Sequence, residues 1–356
     1  MASPLLPLSP FEGTDSGELS AGHPLGASRA GRTLHGWRFG RGQAAVSLIA
    51  GCHADEPVGP ETLRRLAGFL SECSADHPLL TAYQWFIVPD ANPDGARRNA
   101  GWAAETVELK DASGRADRGF DLHAYLGGVV REPPGDDVEF GFPRGAEDFG
   151  ARPENIAIGE FLFQGAPFAV HGTLHGMSFA PGPWFLLEPA WVDRTEAMRE
   201  RLRGVVREMG YGLLDIDRRG DKGFTRIDEG FSTRPDSRAM AEHFLERDDP
   251  DTAALFRPSS MEHVRGLGGD PLTFVSEMPL FLLPGPDEVA DPELAFEAGT
   301  RARLELHAWL ASRAGATTPE ALRREAAARG VRPIPIGDQM RLQVELINAA
   351  LEAVSR

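Results

Sequence analysis

Gly51-Cys52-His53-Ala54-Asp55-Glu56 sets an imidazole and a carboxylate three residues apart, directly after the apolar run Ala45–Ala50. A short apolar run ended by glycine predicts a buried strand of an α/β protein. Open sheets bind ligands just beyond the carboxyl ends of their strands, so His53 and Glu56 stand where chemistry is usually done. Imidazole nitrogen and carboxylate oxygen are both zinc ligands, and a catalytic site of two histidines and one glutamate needs only one more histidine. Taken alone, H-x-x-E is more often a solvated turn than a ligand pair.

The surrounding pattern supplies the elements that must carry such a pair. Strands are expected around Leu34–Phe39, Ala44–Ala50, residues 82–89, Pro167–Leu174, Trp184–Leu187 and Leu272–Ser276. Helices are expected from Pro57, over Thr195–Met209 and over Glu293–Ser312. Alternating strands and helices imply a mixed, mostly parallel central sheet with helices on both faces. Residues 1–30, rich in Pro, Gly and Ser, read as an irregular arm, 31–314 as the catalytic domain and 315–356 as a helical extension. In that extension Met340, Val344, Ile347, Leu351 and Val354 share one helical face, which would pack on the main domain or on a second copy.

Asn92-Pro93-Asp94-Gly95 reads on its own as a turn, but Arg97-Arg98-Asn99 follows it closely. The order G-x-H-x-x-E, then N-P-D-G with R-x-N behind it, resembles the M14 family of zinc carboxypeptidases over roughly residues 30–312. That resemblance implies one Zn²⁺ ion, held by His53, Glu56 and a third ligand on a downstream strand. His171 and His175 are four apart and so share a strand face; His175, followed by Gly176, fits the family pattern better. The resemblance also implies a late catalytic glutamate, Glu277, lying between Gly266, Gly268 and Gly269 and a closing helix.

The chemistry expected of this set is amide hydrolysis. Two neutral imidazoles and a carboxylate leave zinc positively charged with an open position, where it acidifies water and polarises a carbonyl. Glu277 would act as general acid and base, and Arg97 would stabilise the oxyanion. Asp55 would either orient His53 or be a solvated turn residue.

The pattern departs from the family in two places. Where the family's Asn-Arg pair grips a terminal carboxylate, this chain has Asp121-Leu122-His123-Ala124. No tyrosine lies between 212 and 276. Arg131, at the head of the acidic, proline-containing loop 131–143, is a candidate replacement for the carboxylate clamp, because its planar fork matches a carboxylate. Arg98 and Asn99 are further substrate-binding candidates.

Composition narrows the rest. The 356 residues carry 37 basic and 53 acidic side chains, a net charge of −16, which argues against nucleic acid or an anionic membrane as the main partner. Two cysteines form no disulfide framework, and no run is a secretory signal or a spanning helix, so a cytoplasmic protein is expected. The leading expectation is a zinc peptidase acting on peptides or small amides, with homo-oligomers possible through the C-terminal helices. The alternatives are an N-acyl amino acid amidohydrolase of the aspartoacylase and succinylglutamate desuccinylase type, and a zinc-binding protein that has lost turnover.

Overall fold

A computed structural model describes residues 4–12, 22–284 apart from 146, 147 and 149, and then 304–306, 308–313, 315 and 318–355. Its centre is a ten-stranded sheet in the order β1 (His23–Ala27), β2 (Thr33–Phe39), β4 (Tyr83–Val88), β3 (Ala44–Ala50), β7 (Val170–Ala180), β11 (Leu272–Leu282), β8 (Trp184–Leu187), β10 (Phe231–Thr233) and β9 (Arg226–Asp228), with β12 (Arg332–Pro333) added on β11. The inner strands β4 (Tyr83–Val88), β3 (Ala44–Ala50), β7 (Val170–Ala180) and β11 (Leu272–Leu282) run parallel to one another. The flanking strands β2 (Thr33–Phe39) and β8 (Trp184–Leu187) join them antiparallel, so the sheet is mixed, as expected.

Inner strands buried on both faces must be apolar on both, and β3 shows how. Val46, Leu48 and Ala50 face one apolar core, and Ala45 and Ile49 face another. The first core lies under helix α1 (Val58–Glu72) and the C-terminal helix Ile336–Val354, the second under α5 (Pro153–Phe163) and α9 (Ser260–Gly266).

The same alternation sorts the chemistry onto one side. On β7, Val170 and Leu174 point into the first core, so His171 and His175 both point the other way. On β11, Phe274 and Met278 enter that core, which turns Val275 and Glu277 to the side of the histidines. Glu277 then stands directly opposite His175 in register.

Several elements differ from the sequence expectation. Asn92-Pro93-Asp94-Gly95 opens a helix, α3 (Pro93–Ala103), in which the Asn92 side chain accepts from Gly95 N at 3.0 Å and proline takes the first turn. Residues 23–27, expected to be irregular, form edge strand β1 against β2. Leu6 and Phe11 join the first core, where Met340, Val344, Ile347 and Leu351 are also buried, so that face of the C-terminal helix is covered within the chain. The helix expected over Glu293–Ser312 falls mostly outside the described residues. Among the described residues no helix is long and apolar enough to cross a membrane.

Candidate active site

The chain leaves β3 through Gly51, whose φ of +71° is a left-handed conformation that favours glycine. The turn that follows buries Asp55 and Glu56 and brings His53 back over the strand ends. His53 Nδ1 lies 2.9 Å from Glu56 Oε1, His175 Nδ1 2.8 Å from Glu56 Oε2, and the two Nδ1 atoms 3.2 Å from each other. Ligands on a tetrahedral zinc with bonds of about 2.0–2.1 Å are separated by about 3.3 Å. The observed triangle is slightly smaller than that and of the right donor types, so the residues fit a zinc ion.

A second set of contacts uses the far nitrogens. His53 Nε2 is 2.9 Å from Glu139 Oε2 and His175 Nε2 is 3.9 Å from Glu139 Oε1; His53, Glu139 and His175 together could also hold a cation. The Nδ1 face with Glu56 is the tighter of the two. Glu139 belongs to the acidic loop that Arg131 begins, of which a substrate role but no metal-ligand role was expected.

Electrostatics also favour a cation here. Burial disfavours charge on Glu56, yet His53 and His175 outweigh it and hold the carboxyl well below its usual range. Burial likewise opposes protonation of His53, but Glu56 leads the groups that keep its pKa well above ordinary. Burial, then the negative charges of Glu56 and Glu139, push Glu277 up to about 8. A divalent cation among these groups would relieve that repulsion.

The remaining candidates separate clearly. His171 is fully buried, with Nδ1 2.7 Å from Ser47 Oγ and Nε2 2.9 Å from Ser260 Oγ, so both ring nitrogens are engaged away from the triangle. Arg97, expected at the reacting carbonyl, is exposed on α3 and does not line the cavity. The buried face of α3 is Gly95, Asn99 and Trp102, one helical stripe, and Arg97 and Arg98 fall outside it. Arg98 pairs with Glu132. Asn99 accepts from Val130 N at 2.9 Å and donates to Val130 O at 2.8 Å, fixing the backbone just before Arg131 instead of reaching into the cavity. Arg131 extends over the triangle, donating to Glu56 Oε1 at 2.9 Å and to Asp55 at 3.2 Å. Asp55 is thereby an acceptor for Arg131 rather than a solvated turn residue.

Behind the triangle opens a cavity of about 690 Å³, which His53, Glu56, Arg131, Glu139 and Glu277 all line. Its far wall is aromatic and aliphatic. Residues 119–125, where the resemblance seeks a carboxylate clamp, do not line it; Asp121 there caps helix α4 (Leu122–Gly128), accepting from Ala124 N at 2.9 Å.

Residues 14–180 match the zinc carboxypeptidase (peptidase M14) family model. Zinc carboxypeptidase A 1 of Anopheles gambiae is 33% identical over 89 residues, 22% of this chain and 21% of that protein. Carboxypeptidase B of Astacus astacus is 31% identical over 86 residues, 23% of this chain and 28% of that protein. The matched stretches thus span about a quarter of these curated relatives. Among solved structures, a metallo-carboxypeptidase from Burkholderia cenocepacia aligns with a TM-score of 0.43 and 13% identity, over 95% of this chain and 65% of that one.

Proposed function

Over residues 14–180 this chain belongs to the zinc carboxypeptidase family, and from that premise we propose that it is a zinc-dependent hydrolase cleaving an amide bond of a peptide or peptide-like substrate. The observation that carries the reading is the 2.8–3.2 Å triangle of His53 Nδ1, His175 Nδ1 and the Glu56 carboxylate, with Glu277 opposite His175 in the same cavity. His53, Glu56 and His175 are the ligands in this reading. Bound zinc supplies the positive charge that polarises the scissile carbonyl and acidifies water.

The chain's own groups do the rest. Glu277 takes a proton from the attacking water and delivers it to the leaving amine nitrogen. Arg131, half exposed beside Glu56, directs its guanidinium at the negative charge that develops on the carbonyl oxygen, the task first expected of Arg97. Glu139 accepts from His53 Nε2, which fixes the tautomer and leaves the Nδ1 lone pair, which Arg131 Nη2 approaches to 3.0 Å, as the atom that would bind metal. Gly176 N donates to Glu56 Oε2 at 3.1 Å and aims that carboxylate.

Two variants test this. Glu277→Gln is expected to keep its zinc and lose about 10²–10⁴ of the hydrolysis rate, and His175→Ala is expected to lose the zinc itself. Hydrolysis by Glu277→Gln at the parent rate would overturn the mechanism. Comparing short peptides with N-acyl amino acids as substrates separates the peptidase from the amidohydrolase reading.

A further inference from the structure

Arg131 has a carboxylate, Glu132, as its next neighbour in the chain, yet its donors go elsewhere. Its Nη1 donates to Glu56 and Asp55 at the metal end of the cavity, and its Nη2 lies 3.0 Å from His53 Nδ1. The Glu132 carboxylate is taken up by helix α3 instead. Glu132 Oε2 accepts from Asn92 Nδ2 at 2.8 Å, and Oε1 accepts from Arg98 Nη2. The Glu132 side chain is 4% exposed, whereas that of Arg98 is half exposed.

The segment that opens α3 builds this junction. Asn92 is fully buried and caps the helix, its Oδ1 accepting from Gly95 N at 3.0 Å, which leaves Nδ2 turned to Glu132. A Cβ at Gly95 would stand 2.7 Å from Glu132 Oε1, 2.8 Å from Asn92 Nδ2 and 2.4 Å from Cβ of Ala54 in the ligand turn. Any larger residue there would force these parts to shift. Asn99, one turn further along the helix, holds both backbone groups of Val130. Arg131 therefore has an anchored residue on each side, and its own side chain is what remains to move. That side chain is half exposed and rich in rotamers, so nearby charge decides where the guanidinium settles. A carboxylate one residue away would compete with the reacting centre for it unless another cation held that carboxylate.

We infer that Asn92, Arg98 and Glu132 form a positioning device for Arg131. By engaging both oxygens of Glu132, α3 keeps that carboxylate from drawing the guanidinium away from the metal end of the cavity. The inference rests on the proposed hydrolase reading, in which Arg131 meets the charge on the carbonyl oxygen, and deepens it by naming the residues that hold Arg131 to that task. It gives work to Arg98, which does not line the cavity. Arg98 acts on Glu132, Glu132 on Arg131, and Arg131 on the reacting centre.

The test uses the zinc-loaded protein and an N-acylated dipeptide. Arg98→Met should lower kcat about ten- to a hundredfold, somewhat less than removal of an oxyanion donor itself, with KM and zinc content unchanged. Arg98→Lys should restore most of the rate. Glu132→Gln added to Arg98→Met should restore it as well, since no charge is then left to compete. In an Arg131→Met background, Arg98→Met should cost nothing further, whereas a merely structural residue would lower that rate too. Crystal structures of Arg98→Met and of Arg98→Met with Glu132→Gln are read without any assay. They should show the Arg131 guanidinium on Glu132 in the first and over Glu56 in the second. Parent kcat in Arg98→Met, no rescue by Glu132→Gln, additive losses with Arg131→Met, or an unmoved Arg131 in the Arg98→Met crystal would each overturn the inference and leave the hydrolase reading intact. If the parent cleaves no amide, the hydrolase reading fails, and the crystal structures alone decide whether Arg98 and Glu132 set the place of Arg131.

Discussion

Between His53 and Glu56 the geometry is local, and this is why those two could be singled out from the sequence: a spacing of three at a strand end fixes both side chains. Glu139 could not be found that way. It lies more than eighty residues along, in a loop whose prolines and acids announce rigidity and charge but not the place where it folds. Arg97 was expected at the reacting carbonyl as the cation of the Arg97-Arg98-Asn99 segment behind Asn92-Pro93-Asp94-Gly95, yet helical periodicity turns Asn99 in and Arg97 out. The two histidines of β7 are told apart by their partners, and His171 carries a prediction of its own. Burial, then Arg234 and His263, push its pKa down to about 3 from the ordinary 6.5. Below pH 6.5 the unfolded chain therefore takes up a proton that the native ring refuses. Stability present above pH 6.5 is lost as the pH falls toward 3, by about 2 kcal/mol at pH 5. Urea midpoints at pH 7 and pH 5 for the parent and His171→Gln should show a smaller acid loss in the variant. An equal loss in both would mean that His171 is not the group responsible.

Elements whose burial is uniform were read closely. β3 runs Ala44–Ala50 as expected, and β8 runs Trp184–Leu187. β7 and β11 continue six residues past their expected ends, because His175, Gly176, Ser276 and Glu277 break the apolar runs while the ladder between the strands goes on. Polar strands at the periphery, such as β5 (Thr106–Lys110) paired with β6 (Ala116–Phe120), had no apolar signal to reveal them. At this scale the site depends on how closely α1 approaches β7. A Cβ added at Gly59 would stand 2.4 Å from Leu174 O and 2.9 Å from Leu174 Cβ. Leu174 O is a backbone atom and cannot rotate away. Gly59→Ala must therefore push α1, which starts just after Glu56, from the strand that bears His175. The variant is expected to lose about 1–3 kcal/mol of stability and to release zinc to a chelator more readily than the parent. Gly101→Ala, where nothing lies within 4 Å of the added carbon, is the matched control. Zinc retention by Gly59→Ala equal to that of the control would show that the spacing of α1 and β7 does not hold the ligands together.

The C-terminal helix Ile336–Val354 decides whether the chain behaves as one unit. Its apolar stripe could be read from the spacing of Met340, Val344, Ile347 and Leu351, but a stripe alone suits an appendage equally well. What the pattern could not reveal is that Gln339, Gln343 and Asn348 on its other sides are buried too. Polar residues in a core are usually hydrogen-bonded, and two of these, Gln343 and Asn348, join distant parts of the chain. Gln343 Oε1 accepts from Thr62 Oγ1 of α1 at 2.6 Å, and its Nε2 donates to Ser276 Oγ, next to Glu277, at 3.2 Å. Asn348 accepts from Leu6 N at 2.8 Å and donates to Leu6 O at 3.0 Å, tying in the N-terminal residues. The helix thus lies beneath both the ligand strand and the Glu277 strand. Gln343→Leu leaves the Ser276 hydroxyl without that donor and should cost about 1–3 kcal/mol, read as a lower Tm with the parent's cooperativity. Deleting residues 336–356 uncovers the apolar face of α1 and the sheet at once, so the shortened chain should lose cooperative thermal unfolding and zinc binding together. A truncated protein that melts in one sharp transition and still holds zinc would make the helix an accessory to the fold.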